Sequence, residues 1–144
     1  TQNMILHNNC TLKLIDYSFA FVAGEGEQGA MSQTFCGAQS YVSPQFMNEQ
    51  VHAQDLEFNM FANDCWAMGV VLFNMLNNLN PFPSYDNAEL YRQQTSLDFL
   101  RARYIKQFPT DLRHLQEALF IEDEKKRLTM AKVLAHPWIA RRGK

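Results

Sequence analysis

One segment constrains the fold more than any other. Residues 64–76 read DCWAMGVVLFNML, which is apolar around most of its circumference when placed on a helix. Asp64 is a good N-cap type, so a helix is predicted to open there. A helix of this kind must be covered on several sides, which places it at the centre of a domain. Its most apolar part, 67–76, is too short to cross a bilayer, and no membrane association is expected.

The residues on either side of this helix predict a mainly α fold with one small sheet. Residues 4–6 and 12–15 are short apolar runs separated by His-Asn-Asn-Cys, a connection typical of a β-hairpin. Residues 23–33 contain three glycines without periodicity and are expected to form a surface loop. Further helices are predicted at about 87–95 after a proline-containing break, through a stripe of Leu112, Leu115, Ala118 and Leu119, and from a Thr129 cap to about Ala135.

Composition narrows the class of protein. The chain has 144 residues and is 47% hydrophobic, which suits one globular domain with a sizeable core. A formal net charge of -2 provides no large basic field, so nucleic acid is not an expected partner. The cysteines, Cys10, Cys36 and Cys65, are odd in number and widely spaced, which favours reduced thiols and a cytoplasmic location.

Two oxygen-bearing side chains flank the predicted hairpin. Asn3 stands just before its first strand and Asp16 just after its second, so pairing of the strands brings both to the same end. Amide and carboxylate oxygens of this kind suit Mg²⁺, which takes one or two protein carboxylates beside substrate phosphates. On these residues alone, the commoner role of a turn or cap residue is favoured for Asp16 over the role of a metal ligand.

Several short motifs follow one another in a recognisable order. They are Asn3, Ile15-Asp16-Tyr17-Ser18, Phe35-Cys36-Gly37, Tyr41-Val42-Ser43-Pro44-Gln45, Asp64-Cys65-Trp66-Ala67-Met68-Gly69-Val70, Arg127 and His136-Pro137-Trp138-Ile139. Together they resemble the C-terminal lobe of protein kinases, of the calcium/calmodulin-dependent group, and Thr34-Phe35-Cys36-Gly37 is similar to the testis-specific serine kinases. The resemblance implies a truncated, partial kinase domain over residues 1–140, which begins within the catalytic loop, and a basic tail at 141–144.

The resemblance implies a role for each residue near the predicted hairpin. Asn3 matches the asparagine that holds the second Mg²⁺, and Asp16 matches the aspartate that links Mg²⁺ to the phosphates of ATP. Thr34 aligns with the activation-loop threonine that is phosphorylated in similar kinases, where a phosphate would order the loop by pairing with arginines. The alternative for Thr34 is an unmodified hydroxyl in a mobile loop.

It also implies structural roles further along the chain. Asp64 resembles the aspartate that hydrogen-bonds the catalytic-loop backbone, although it could equally be a simple N-cap. Arg127 resembles the arginine that pairs with the glutamate of Ala-Pro-Glu, a position that Gln45 fills here. The alternative for Arg127 is a solvated member of the charge run Lys125-Lys126-Arg127.

The sequence departs from the family pattern in ways that leave two functions open. Tyr17-Ser18 replaces Phe-Gly, Gln45 replaces glutamate, and Ala38 stands where serine or threonine is usual. The Gly-rich loop, the ATP-pairing lysine and the catalytic base are absent, so we assign no catalytic residue within the chain. The first hypothesis is an ATP- and Mg²⁺-dependent serine/threonine kinase acting on protein substrates, with this chain inactive alone. The alternative is a pseudokinase or scaffold that binds protein partners.

Overall fold

The computed structural model describes residues 3–8, 10–20, 22, 31–32, 38–47 and 58–141. Two antiparallel strand pairs accompany a set of helices, and the first helix lies between the two strands of the second pair. The strands are β1 (Met4–His7), β2 (Thr11–Leu14), β3 (Met31–Ser32) and β4 (Phe58–Asn59). The helices are α1 (Pro44–Met47), α2 (Met60–Asn77), α3 (Asn87–Thr95), α4 (Asp98–Arg103), α5 (Thr110–Leu119), α6 (Met130–Ala135) and α7 (Pro137–Ala140), with 3₁₀ turns at Gln39–Tyr41 and Ile105–Gln107.

The predicted N-terminal hairpin is present. Strands β1 and β2 pair antiparallel from Met4 opposite Leu14 to His7 opposite Thr11, and Cys10 takes a left-handed φ of 57° in the connection. Most of the hairpin's side chains are exposed, including Leu6 at 69% and Leu12 at 58%. Little of this apolar surface is therefore buried by the rest of the described chain.

Helix α2 begins earlier than the sequence predicts. Asn59, not Asp64, is its N-cap, because Asn59 has extended dihedrals and its Oδ1 accepts a hydrogen bond from Ala62 N–H at 3.0 Å. Asp64 lies within the helix, so the prediction that it opens α2 is wrong. The helix ends where Asn78 adopts a left-handed φ of 53° and donates its N–H to Asn74 O at 2.7 Å.

The core forms on both sides of α2. The larger cluster joins α1, α2 and the segment 82–105, and its centre is Trp66, which stacks on Phe82 at 5.5 Å and contacts Phe120 at 5.0 Å between ring centroids. The smaller cluster joins Cys65 to buried residues of α5 and α6. Gly69 lets α2 approach α5 closely, since a Cβ there would lie 2.8 Å from Phe120 Cε1.

Some helices and strands agree with the sequence predictions, and others do not. Helix α3 has the predicted bounds, and α6 has the predicted Thr129 cap, which accepts from Lys132 N–H. Part of the predicted glycine-rich loop, Met31–Ser32, is instead a strand that pairs with Phe58–Asn59. No helix within the described ranges has the length and hydrophobicity needed to cross a membrane.

Candidate functional site

The hairpin brings Asn3 and Asp16 to one end, as the sequence predicts. Ile15 N–H donates to Asn3 O at 3.0 Å, which extends the β1–β2 pairing by one step beyond Met4 and Leu14. Asp16 follows directly after Ile15, and both Asn3 and Asp16 are exposed. Their polar side chains are therefore anchored to paired backbone, which limits how far apart they can move.

Asp16 has an unusual backbone and a local hydrogen-bond partner. Its φ is 62°, in the left-handed region that aspartate tolerates better than most residues. Ser18 donates to Asp16 Oδ1 twice, from its hydroxyl at 2.5 Å and from its N–H at 3.2 Å. These bonds, the hydroxyl first, lower the pKa of Asp16 below its ordinary value. The carboxylate is thus ionised at neutral pH, as a cation ligand must be.

Tyr17 does not pack where the family motif places a phenylalanine. Its side chain is 69% exposed, and its hydroxyl donates to Leu14 O at 3.1 Å. Phe19 is exposed to a similar extent, at 66%. The segment after Asp16 therefore folds back on β2 through a polar contact.

The donor set at the hairpin end suits a hard cation. Asp16 offers a carboxylate whose two hydrogen bonds both fall on Oδ1, and within the described residues Oδ2 has no hydrogen bond. Asn3 offers an amide oxygen from the facing strand end. The described chain contains no group of three or more His, Cys, Asp or Glu side chains arranged to hold a metal. Mg²⁺ fits two protein oxygens completed by phosphates and water, which is the chemistry these residues could support.

Arg127 is a buried hub and not a solvated charge. Only 3% of it is exposed, and its guanidinium lies 5.0 Å from the centre of the Trp66 ring. Nη2 donates to Gln45 Oε1 at 2.9 Å, so the contact that the sequence predicts is present. Three backbone carbonyls accept its other hydrogen bonds, those of Ile121, Ala62 and Glu122, each at 2.9 Å.

The electrostatics of Arg127 follow from its burial. Desolvation lowers its pKa to about 10, partly opposed by the nearby acidic residues Glu124 and Asp123 and by Cys65. Gln45 uses both ends of its amide, accepting from Arg127 through Oε1 and donating to Glu122 O through Nε2. The hydrogen bonds of Arg127 thus join α1, the start of α2 and the 121–127 loop, and no carboxylate among the described residues is in hydrogen-bond contact with the guanidinium.

Two further contacts hold the chain leading into α1, and sequence reasoning missed both. Asn63 Oδ1 accepts from Ser43 N–H at 2.9 Å, and Gln94 Nε2 donates to Val42 O at 2.8 Å. Asn63 and Gln94 are buried. Each contact joins residues at least 20 positions apart, and a buried amide has no periodic sequence signature, so no local signal could have found them.

Three further positions that the sequence singles out are Asp64, Thr34 and Ala38. Asp64 is accessible to solvent, yet partial desolvation raises its pKa, and within the described residues it makes no hydrogen bond through its carboxylate. Thr34 lies outside the described residues. Ala38 is exposed and, with Gln39, Ser40 and the loop 80–85, lines a cavity of about 240 Å³.

Comparison with known proteins covers nearly the whole chain. The sequence profile described as protein kinase domain matches residues 1–139. Over 139 residues the chain is 28% identical to "Probable serine/threonine-protein kinase MARK-A" of Dictyostelium discoideum, which includes 96% of this chain and 12% of that protein. It is 28% identical to CBL-interacting protein kinase 5 of Oryza sativa subsp. japonica (95% of this chain, 28% of that protein) and 26% identical to NUAK family SNF1-like kinase 1 of Mus musculus (96% and 19%). The chain thus spans less than a third of the length of each of these relatives.

Proposed function

This chain belongs to the protein kinase domain family, and on that premise we propose that it contributes the Mg²⁺-binding hairpin, activation segment and helical lobe of a serine/threonine kinase. The reaction is transfer of the γ-phosphate of ATP to a hydroxyl of a protein substrate. The relatives MARK-A, CBL-interacting kinase 5 and NUAK kinase 1 support a place near the calcium/calmodulin-dependent group. A closer likeness to the testis-specific serine kinases and a cytoplasmic location remain predictions.

The observation that supports the proposal is the placement of two oxygen-bearing side chains at one end of the hairpin. Asn3 and Asp16 come together through the backbone pairing at Ile15, and the Asp16 carboxylate is held ionised by Ser18. Phosphoryl transfer depends mainly on positioning and on neutralising phosphate charge, and a carboxylate–amide pair presented with Mg²⁺ to ATP serves both needs. Mg²⁺ supplies the positive charge between the phosphates when bound.

Other residues of the chain contribute position and not chemistry. Arg127, Asn63 and Gln94 fix the segment 42–45 to α2, α3 and the 121–127 loop through hydrogen bonds. In this proposal that anchoring holds the activation segment in place beside the substrate, and phosphorylation of Thr34 is its regulatory input. Asp64, partly desolvated and without a hydrogen-bond partner in the described residues, is suited to accept from the catalytic-loop backbone.

The test is a substitution at Asp16 in a protein containing the complete kinase domain. We expect Asp16→Asn to remove most Mg²⁺-dependent phosphate transfer, because an amide cannot neutralise the metal and the phosphates as a carboxylate does. The matched control is Asp98→Asn, which changes an exposed aspartate on α4. Undiminished transfer by the Asp16 variant would end the assignment.

A scaffold without catalysis is the second candidate, and a specific contact favours it. The Ser18 hydroxyl occupies Asp16 Oδ1 at 2.5 Å, a lone pair that would otherwise be free for a cation. In the scaffold case the wild-type protein containing the complete domain binds protein partners but transfers no phosphate, and Asp16→Asn leaves partner binding unchanged. Mg²⁺-dependent phosphorylation of a protein substrate by the wild type would exclude this candidate.

A further inference from the structure

The last described segment of the chain is fastened to α5 by two imidazoles that meet edge to edge. His114 Nδ1 and His136 Nε2 lie 2.8 Å apart, with ring centroids 5.1 Å apart and ring planes inclined by 17°. His114 is on α5, and His136 is the hinge between α6 and α7. His136 is 7% exposed. We call residues 130–141, which comprise α6, α7 and Arg141, the C-terminal strap.

A second hydrogen bond fixes where the protons sit. Trp138 N–H donates to His136 Nδ1 at 3.3 Å, which caps α7 and requires Nδ1 to be unprotonated. A neutral His136 then carries its proton on Nε2 and donates it to His114 Nδ1. Both rings are neutral in this arrangement, and each of the two contacts has one donor and one acceptor.

An added proton cannot be accommodated without losing one of these contacts. If it is placed on His114 Nδ1, it faces the N–H at His136 Nε2. If His136 instead moves its own proton to Nδ1, that proton faces the amide of Trp138. Either way a partly buried hydrogen bond is replaced by two opposed donors and a positive charge, which is unfavourable.

We propose that the His114–His136 pair is a pH-sensitive latch, which holds the C-terminal strap on α5 while both rings are neutral and releases it when the pair takes up a proton. The strap covers the smaller core cluster, since Val133, Trp138 and Ile139 pack with Cys65, Leu115 and Leu119. Release therefore exposes apolar surface. This inference is independent of the proposed phosphoryl transfer.

The charged groups around the latch favour the neutral form of His136 in the folded protein. Burial, followed by repulsion from His114, lowers the pKa of His136, and Asp111 opposes that shift. Asp111 is itself engaged by Arg141, whose Nη1 donates to Oδ2 at 2.6 Å across the same interface. The other charged side chains on the packed helices are Asp64 on α2, Arg113 and Glu117 on α5, and Lys132 on α6. Cys65 stays a neutral thiol because burial raises its pKa.

The direction of the pH dependence follows from the linkage between proton binding and folding. Because the pKa of His136 is lower in the folded protein, the unfolded chain binds more protons as the pH falls below the ordinary histidine value of about 6.5. The contribution of the latch is complete above that value and is lost as the pH falls toward the folded pKa. Loss of one hydrogen bond of this kind corresponds to about a tenfold change in the opening equilibrium.

The test is hydrogen exchange of the strap amides in the protein containing the complete kinase domain, corrected for intrinsic rates, at pH 7.5 and pH 5.0. We expect protection in 130–141 to fall about tenfold at pH 5.0 while that of α3 changes little. His7→Asn, which alters an exposed histidine on β1, is the matched control and should behave as the wild type. Equal strap protection at the two pH values overturns the latch.

A substitution at His114 tests the mechanism by giving the added proton a compensating charge. Aspartate places a carboxylate oxygen as many bonds from Cβ as Nδ1 is in histidine, so His114→Asp gives His136 an anionic partner and raises its pKa. The proton on Nδ1 still faces the amide of Trp138, so strap protection in this variant should fall between pH 7.5 and pH 5.0, but by clearly less than in the wild type. A wild-type-like slope contradicts the proposal. If the variant does not fold, ring ¹⁵N shifts of the wild type at pH 7.5 still decide: the Nε2–H tautomer of His136 supports the latch, and the Nδ1–H tautomer overturns it.

Discussion

At the scale of single residues, Arg127 shows how a buried cation can be satisfied without a carboxylate partner. Its guanidinium donates to three backbone carbonyls and to the Gln45 amide. Carbonyl and amide oxygens carry only partial charges, so they compensate less of the free-energy cost of desolvating the Arg127 guanidinium than an anion would. The lowered pKa of Arg127, about 10, reflects this shortfall.

Gln45 accepts a hydrogen bond from Arg127, and a carboxylate at this position would face the guanidinium. Gln45→Glu places a carboxylate against the guanidinium and should stabilise the fold by about 1 kcal/mol in thermal or chemical unfolding. The gain is limited because Gln45 Nε2 also donates to Glu122 O, and glutamate would lose that bond and turn an oxygen toward a carbonyl.

Gln45→Leu is the companion variant for this test. It removes both bonds while keeping similar bulk, so it should destabilise by about 1–3 kcal/mol because Arg127 loses a buried acceptor. If Gln45→Glu melts below the wild type, the lost bond to Glu122 outweighs the new ion pair and the interpretation of Arg127 as an under-compensated cation is wrong.

At the scale of whole elements, the ends of helices depend on particular side chains. For α2 the structure assigns the cap to Asn59, with Asp64 inside the helix. Asn59→Ala should therefore cost about 1 kcal/mol of unfolding free energy. Asp64→Asn should leave stability unchanged or raise it, since the pKa of Asp64 is raised and the neutral form is favoured in the fold.

The two variants have distinguishable outcomes in urea unfolding at pH 7. A large loss for Asp64→Asn with none for Asn59→Ala would restore the sequence-based cap. Because burial raises the pKa of Asp64, wild-type stability from this group improves as the pH falls through the folded pKa toward the unfolded value of about 3.9. The Asp64→Asn variant should not show that gain.

The packing of α2 on α5 gives another prediction at this scale. A Cβ at Gly69 would lie 2.8 Å from Phe120 Cε1 and 3.0 Å from Leu119 Cβ. Gly69→Ala gains helix propensity of about 1 kcal/mol but forces these residues apart, at a cost of about 1–3 kcal/mol. We expect net destabilisation in a thermal melt, and Ala67→Gly on the same helix should destabilise through propensity alone. An unchanged or higher melting temperature for Gly69→Ala would show that Phe120 relaxes freely.

The elements that sequence reasoning recovered are those with local signals. Helix α3 has a capping aspartate, Asp86, and helix α6 has Thr129, and both residues accept from the expected N–H groups. The start of α2 is predicted at the wrong residue because Asp64 and Asn59 are both good N-cap types, and only the backbone dihedrals and the contact with Ala62 N–H distinguish them. The short helices α1 and α4 and the β3–β4 pair were missed because tertiary contacts, not propensity, stabilise elements of this length.

The candidate site likewise has one part that local sequence patterns predict and another part that they do not. The juxtaposition of Asn3 and Asp16 follows from strand pairing and was predictable from the hairpin pattern. The clamp of Ser18 on Asp16 and the burial of Arg127 depend on backbone dihedrals and on packing against Trp66, which no local pattern encodes. The resemblance to kinases supplied the Arg127–Gln45 contact, whereas the His114–His136 pair was not anticipated.

At the scale of the whole molecule, apolar side chains remain exposed along one line of α2. Phe61, Met68 and Met75 recur at seven-residue intervals and are 55%, 38% and 74% exposed. Leu76 lies beside this line and is 41% exposed, and Leu79, just beyond the end of α2, is 37% exposed. Residues seven apart lie on one face of a helix, so these side chains form a stripe, which we call the α2 stripe. The helix is therefore covered on only some of its sides: Val70, Val71 and Phe73 are buried, whereas Met75 and Leu76 are exposed.

The last prediction concerns residues 1–144 expressed alone. The α2 stripe and the exposed hairpin side chains form apolar surface of a kind that promotes self-association. Each large apolar side chain left in water forgoes about 1.5–3 kcal/mol, and two or three of them amount to much of a typical net stability of about 5–15 kcal/mol. We therefore expect an aggregated or molten product that transfers no phosphate from ATP, because two metal ligands without a phosphate cradle or a base cannot position the reaction.

A pair of variants identifies the surface responsible. Met75→Glu removes the most exposed member of the α2 stripe and should shift the chain toward monomer in analytical ultracentrifugation. The control is Leu134→Glu, at a 66% exposed position on α6. It should have a smaller effect because Leu134 lies outside the stripe. A sharp cooperative melt of monomeric wild-type chain would show that the stripe needs no cover. Mg²⁺-dependent phosphate incorporation that Asp16→Asn abolishes would show that these residues suffice for catalysis, since only a metal held at the hairpin end responds to that change in this way.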